Sequence, residues 1–193
     1  MGDCHEAHVN LNIEMIAIVL VPYIEETPRY PIKECQISVL NKYRKTISFV
    51  DEWRFKHHKG VNECIFNYVF WTFKSRVDGF RYFRPVISID GTHVYGKYDI
   101  KLLITVGTDG NGSIFPLAFA IAANESLDTR TKFLSDLHQH VVRGREGIML
   151  ISDRHHKILR SVSTEHNWQA SFAYHRYCLR HLKANYQRAY KSV

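Results

Sequence analysis

Apolar and polar positions are most regularly ordered in the second half of the chain. Val86-Ile87-Ser88-Ile89-Asp90, introduced by Arg84-Pro85, reads as a strand ending in an acid, with Gly91-Thr92-His93 as the turn after it. Lys101 to Thr108, built of Leu, Ile, Val and Thr, reads as a second strand. Asp109-Gly110-Asn111-Gly112 is a hairpin turn, because glycine and Asn tolerate positive φ. Ile114 to Ala122 is a third strand, in which Pro116 predicts an edge or a bulge, since proline gives no N–H to a ladder. Together these predict a three-stranded antiparallel meander over residues 85–122. A helix from about Leu127 to Val142 follows from the apolar face of Phe133, Leu134, Leu137 and Val141, with Gly144 and Gly147 at its exit. Ile148 to Ser152 is a continuous apolar run, the pattern of a strand buried on both faces, and it ends at Asp153. A helix from near His155 to Thr164, a strand within Ala170 to Tyr177 and a final basic helix complete the order β-β-β-α-β-α-β-α.

The first half is less regular. Residues 1–30 carry little pattern. From Pro31, the residues Ile32, Cys35, Val39, Leu40 and Tyr43 share one helical face. Ser48 with Asp51 forms a capping-box signature for a second, basic helix carrying Phe49, Trp53, Arg54, Lys56, His57, His58 and Lys59. The pair reads either as a helix-turn-helix or as two amphipathic helices packed on a core, and the second is the commoner use of such a pair. Residues 63–83 interleave Phe66, Tyr68, Phe70, Trp71, Phe73, Phe80, Tyr82 and Phe83 with Lys74, Arg76 and Arg81. Such a segment can stack on bases, but burial of the aromatics with solvated charges between them is the favoured reading.

Composition adds limits. With 193 residues, 45% hydrophobic and 23% charged, the chain is not disordered throughout and fits one domain with a small appendage. The net charge of +7 suits a polyanionic partner such as nucleic acid, and equally a mildly basic soluble protein. Cys4, Cys35, Cys64 and Cys178 form no Cys-x-x-Cys pair and read as reduced intracellular thiols. The longest apolar run, Met15 to Val21, is far short of the ~20 residues that span a bilayer. Asp3, Glu6 and Glu14 ahead of it do not suit a signal peptide, and Glu6 stands where myristoylation expects Ser or Thr. No membrane association is expected.

Two acids then stand out by position. Adjacent strands lie about 4.8 Å apart, so Asp90 and Asp153 at neighbouring strand ends can share a divalent cation. Mg²⁺ takes oxygen ligands and keeps several waters, and paired ions serve phosphodiester chemistry. Asp at a strand end is also ordinary turn chemistry, and spacing alone favours that plainer reading. His93 and Arg154-His155-His156 flank the acids and read as phosphate or substrate contacts, or as surface polar groups. Cys178-Leu179-Arg180-His181 has the spacing of half a zinc site, with His166 and His175 nearby, but two ligands do not close a tetrahedron.

Gly79-Phe80, the run Arg84 to Tyr98, Ile114-Phe115-Pro116-Leu117-Ala118-Phe119-Ala120-Ile121, Arg145-Glu146-Gly147-Ile148, Leu150 to His155 and Tyr174 to Leu182 together resemble the core of plant Mutator-like element (MULE) transposases. The resemblance covers about residues 63–193, with residues 1–62 as an N-terminal helical region that is helix-turn-helix-like. It implies an α/β, RNase H-like mixed sheet, the antiparallel meander joined by parallel strands and flanked by helices, incomplete at the C-terminus. It also implies a DDE-type site with Asp90 and Asp153 as its first two acids, using Mg²⁺ or Mn²⁺. Cys178 and His181 would be the family's Cys-x-x-His motif. The implied activity is DNA cleavage and strand transfer in the nucleus, by an enzyme that acts as a homo-oligomer.

The family's third acid is a Glu on a helix downstream of that motif. Here the last acid is Glu165, and the tail beyond it carries Arg176, Arg180, Lys183, Arg188 and Lys191, which is +5 of the net +7. The family's C-terminal zinc module is also missing, and Arg130 and Lys132 stand where the family packs tryptophans. The expectation is a transposase-derived fragment, inactive as this chain because it stops before its third carboxylate. The alternatives are a non-catalytic DNA-binding or interaction protein, or a degenerate product that folds poorly.

Overall fold

The computed structural model describes residues 47–58, 61–94 and 100–190. In chain order the strands are β1 (Ile47–His58), β2 (Val61–Phe73), β3 (Val86–Val94), β4 (Ile100–Thr108), β5 (Ile114–Ala122), β6 (Ile148–Ser152) and β7 (Ala173–Tyr177). The helices are α1 (Lys74–Phe80), α2 (Leu127–Leu137), α3 (His156–Thr164) and α4 (Leu179–Ala189). They build a seven-stranded sheet in the order β1-β2-β5-β4-β3-β6-β7. Antiparallel pairing runs from β1 to β3, and β3–β6 and β6–β7 are parallel. The parallel step needs a crossover, which α2 supplies. The result is a mixed α/β fold consistent with the RNase H-like architecture, with the expected meander as β3, β4 and β5.

Local chemistry explains most boundaries. In the β4–β5 hairpin, Asp109 Oδ1 accepts from the Asn111 and Ser113 amides at 2.9 and 2.8 Å, and Gly112 takes φ +86°. Pro116 sits at a bulge, where the register shifts between Thr105 and Val106. The β2 ladder pairs with β5 only from Ala118 to Ala122, so the missing Pro116 N–H costs no bond on that side. Ser126 caps α2 by accepting from the Thr129 amide at 3.0 Å. A wider turn over His138–Val142 extends α2, and Arg143 (φ 51°) and Gly144 (φ 77°) stop it in left-handed conformations.

Three expectations change. The basic helix expected after Ser48 is the strand β1. Its sequence Ile47-Ser48-Phe49-Val50-Asp51-Glu52-Trp53-Arg54-Phe55 places large apolar residues at alternate positions, and β2 offers a full-length antiparallel partner. No helix-turn-helix therefore forms with residues 47–58 as its second helix; the first helix, over 31–43, and the apolar run 15–21 lie outside the described residues. Gly91-Thr92-His93, expected as a turn, continues β3, because β4 pairs with it as far as Val94. The β6 strand buries one face only: Ile148, Leu150 and Ser152 are inside, whereas Met149 is 38% exposed. The basic final helix forms as expected, but none of its residues is buried.

The aromatic segment resolves in favour of burial. Tyr68, Phe70, Trp71 and Phe80 are each at most 1% exposed, whereas Tyr82 is exposed. Trp71 stacks on its cross-strand partner Phe119, with centroids 5.5 Å apart. The core gathers Phe70, Ile87, Ile89, Leu103, Phe133, Leu134, Leu137, Leu150 and Ile158 between the sheet and the helices α2 and α3. Arg145 fastens the entry to β6 by donating to the carbonyls of Phe80 and Phe83 at 2.7 and 2.8 Å.

Candidate active site

The parallel ladder between β3 and β6 pairs Val86 with Met149, Ile87 with Leu150 and Ser88 with Ile151. Continued by two places, that register sets Asp90 beside Asp153, where β6 has just ended and β3 runs on. Side chains alternate across a strand, so Ile87 and Ile89 enter the core and Asp90 faces the opposite side of the sheet. Asp153 is held in a turn: its Oδ1 accepts from the His155 amide at 3.1 Å. Asp90 Oδ1 accepts from the Gly91 amide at 2.9 Å.

The start of α4 closes on Asp90. The Cys178 amide donates to the Ser152 carbonyl at 2.7 Å and pins the helix entry to the end of β6. From there Arg180 Nη2 reaches Asp90 Oδ2 at 3.1 Å, and His181 Nε2 lies 4.0 Å from Asp90 Oδ1. Cys178 is a free, partly buried thiol. Among the described residues, no group of three or more His, Cys, Asp or Glu is gathered as a metal cluster. Cys178 thus stands at the N-cap of α4 and His181 in its first turn beside Asp90, and among the described residues they close no metal cluster.

Other flanking residues take distinct places. His93 faces Lys101 across β3 and β4, with Nζ and Nε2 2.7 Å apart. Arg154 and His156 are exposed. His175 pairs with Leu150 across the β6–β7 ladder, its Nε2 2.8 Å from Ser152 Oγ. That hydroxyl gives its proton to the Asp153 carbonyl at 2.7 Å, so the imidazole must donate to it. Burial, then the charge of Arg176, pushes the His175 pKa below its ordinary value.

Sequence reasoning missed Glu125. It precedes α2, and its Oε1 receives Arg130 through Nη2 at 2.6 Å and Nε at 3.2 Å. His155 Nδ1 lies 3.8 Å away, and Lys157 donates to the Glu125 backbone carbonyl. Burial raises the Glu125 pKa, but the Arg130 hydrogen bond and the charges of Arg130, His155 and Lys157 outweigh it and leave the carboxyl below its ordinary value. Arg130 is only 4% exposed and lies against β3, where a Cβ on Gly91 would stand 2.9 Å from Nη2. A side chain at Gly91 would therefore collide with the guanidinium. The Arg130–Glu125 bridge therefore lies between Gly91, the residue after Asp90, and His155, whose amide holds Asp153. The two charges introduced into α2 are thus accommodated, Arg130 by Glu125, and Lys132 by Asp136 at 3.7 Å with its ammonium 5.4 Å from the Tyr68 ring. No signal in the sequence joins Glu125 to His155, thirty residues away on another loop.

Residues 86–185, just over half of the chain and running from β3 into α4, match the MULE transposase domain. The chain belongs to the MULE transposase domain family. Comparison with curated proteins finds no match. The MULE domain thus spans the meander, both candidate acids and the Cys178–His181 turn, whereas β1, β2 and α1 precede it. No helix among the described residues is long and apolar enough to cross a membrane.

Proposed function

We propose that the chain is a transposase derivative in which Asp90 and Asp153 are the first two acids of a DDE-type, divalent-metal site acting on DNA in the nucleus. The supporting observation is the parallel β3–β6 register, which, continued by two places, sets Asp90 within β3 level with Asp153 just past the end of β6. Their donor set, two carboxylates and no thiolate, fits Mg²⁺ or Mn²⁺, with water or phosphate oxygens completing the shell. Bound there, such an ion would polarise the phosphate and activate the attacking oxygen. The chain's own part is to hold the two acids in register through the His155 and Gly91 amides and the Arg130–Glu125 bridge.

On this reading the chain does not carry out strand transfer unaided. It has no Asp or Glu beyond Glu165. Glu165 follows α3, whose nine residues rise about 13 Å from the Asp153 end. Glu125 is nearer, but Arg130 occupies its carboxylate. Loss of one member of a catalytic unit removes most of its rate. The test is a nicking and strand-transfer assay with Mn²⁺ and Mg²⁺, in which no product is expected. Product that disappears in Asp90→Asn would show the centre complete and overturn the inactive reading.

A second reading, a non-catalytic DNA-binding protein, is favoured by α4. That helix exposes Arg180, Lys183, Arg188, Tyr186 and Tyr190 and buries nothing. Binding of this kind weakens steeply as salt rises, because neutralised phosphates release counterions. Salt-insensitive binding, or none at low salt, would count against it.

A further inference from the structure

We propose that the Cys178–His181 turn is a latch on Asp90: Arg180 holds the carboxylate and must leave before Asp90 can ligate a cation. The inference rests on reading Asp90 as half of a divalent-metal pair. Both of its oxygens are engaged, Oδ2 by Arg180 Nη2 at 3.1 Å and Oδ1 by the Gly91 amide at 2.9 Å with His181 Nε2 at 4.0 Å. The turn is not free to drift, since the Cys178 amide is bonded to the Ser152 carbonyl one residue before Asp153. The same segment that abuts one acid therefore delivers a cation to the other.

Arg180 and a metal ion compete for one carboxylate, because each is favoured by the same negative charge. The latch is weak by construction. The Arg180 side chain is 75% exposed and that of Asp90 48% exposed, so solvent and salt screen the pair. A weak latch restrains Asp90 when the site is empty and opens on demand. Arg180 is a positioning residue here, acting through Asp90.

The test is Mn²⁺ binding to the full chain at low salt, read from the electron paramagnetic resonance signal of free Mn²⁺. Arg180→Ala is expected to tighten binding about two- to five-fold, the range for release of an exposed ion pair. Arg180→Lys keeps the charge without the planar fork and should fall between the two. Arg188→Ala removes the same charge two turns further along the helix and should change affinity less, and added salt should narrow the Arg180→Ala difference. Equal or weaker binding by Arg180→Ala, or an Arg188→Ala effect as large, overturns the latch and leaves the metal reading standing. No Mn²⁺ binding in any variant, or binding unaffected by Asp90→Asn, overturns the metal reading and the latch with it.

Discussion

Helices α2 and α4 are equally long, eleven residues each, and are used in opposite ways. Six residues of α2 are buried, including Phe133, Leu134 and Leu137 in the core and the charged Arg130 and Asp136. None of α4 is buried, and Leu179 is 80% exposed. Both reach β3 around Asp90, α2 through Arg130 beside Gly91 and α4 through Arg180 on Asp90 itself. One ion pair is built into the packed side of the sheet and the other lies on the solvated side. Desolvation makes a buried charge costly to unpair, while screening makes an exposed one cheap. The site thus has a fixed support on one side and an adjustable contact on the other.

The contrast can be broken most severely in the core. Phe133→Ala, at a position with 0% exposure, should cost about 3–5 kcal/mol in urea unfolding. A loss below 1 kcal/mol would mean that α2 is not the packed element. Next comes Glu125→Gln, which strands the Arg130 charge and should cost about 3 kcal/mol, the lower end for an orphaned buried ion. The double variant Glu125→Gln with Arg130→Leu should recover most of that loss, and failure to recover would show that the bridge itself stabilises the fold.

A smaller effect is expected from pH. Burial lowers the pKa of both His138 and His175, so the folded state binds fewer protons than the unfolded chain. Stability should hold above the ordinary histidine value of 6.5 and fall as pH drops through it. Asp136 runs the other way: burial raises it, against the pull of Lys132 and Tyr68, and stability gained from its protonation appears at low pH. The readout is therefore the difference between wild type and His175→Gln in Tm at pH 7.5 and 5.5, with the variant showing the shallower decline. An unchanged slope would place the pH dependence elsewhere. Smallest of all, Leu179→Ala on α4 should change stability by less than about 0.5 kcal/mol. A larger loss would mean that α4 is packed in solution.

How much was readable beforehand differs by region. From Val86 onward the order of strands and α-helices was legible, because period-two and period-3.6 patterns are clean there and turn residues such as Asp109-Gly110-Asn111-Gly112 punctuate them, although the end of β3 and the short helical turn over His166–Trp168 were not. Ser48 and Asp51 misled because a capping box is a two-residue signal, while the alternation of Ile47, Phe49, Trp53 and Phe55 depends on a partner strand. Asp90 and Asp153 stand out in the sequence as acids at strand ends, but β3 runs on past Asp90, and only the β3–β6 register, continued by two places, sets the two level. Arg130 was noticed as a charge in an aromatic position, and its partner Glu125 was not.

By itself, then, the sequence determined the order of elements from β3 to α4, the candidate acids and the absence of carboxylates after Glu165. These are local or compositional properties, written in spacing and residue type. The tertiary structure decided that β1 is a strand and that β6 has one open face. It also decided that Arg130 finds Glu125, and that Arg180 lies on Asp90, ninety positions away. Such contacts depend on how strands are ordered in the sheet and which face each side chain takes, and chain spacing does not encode either.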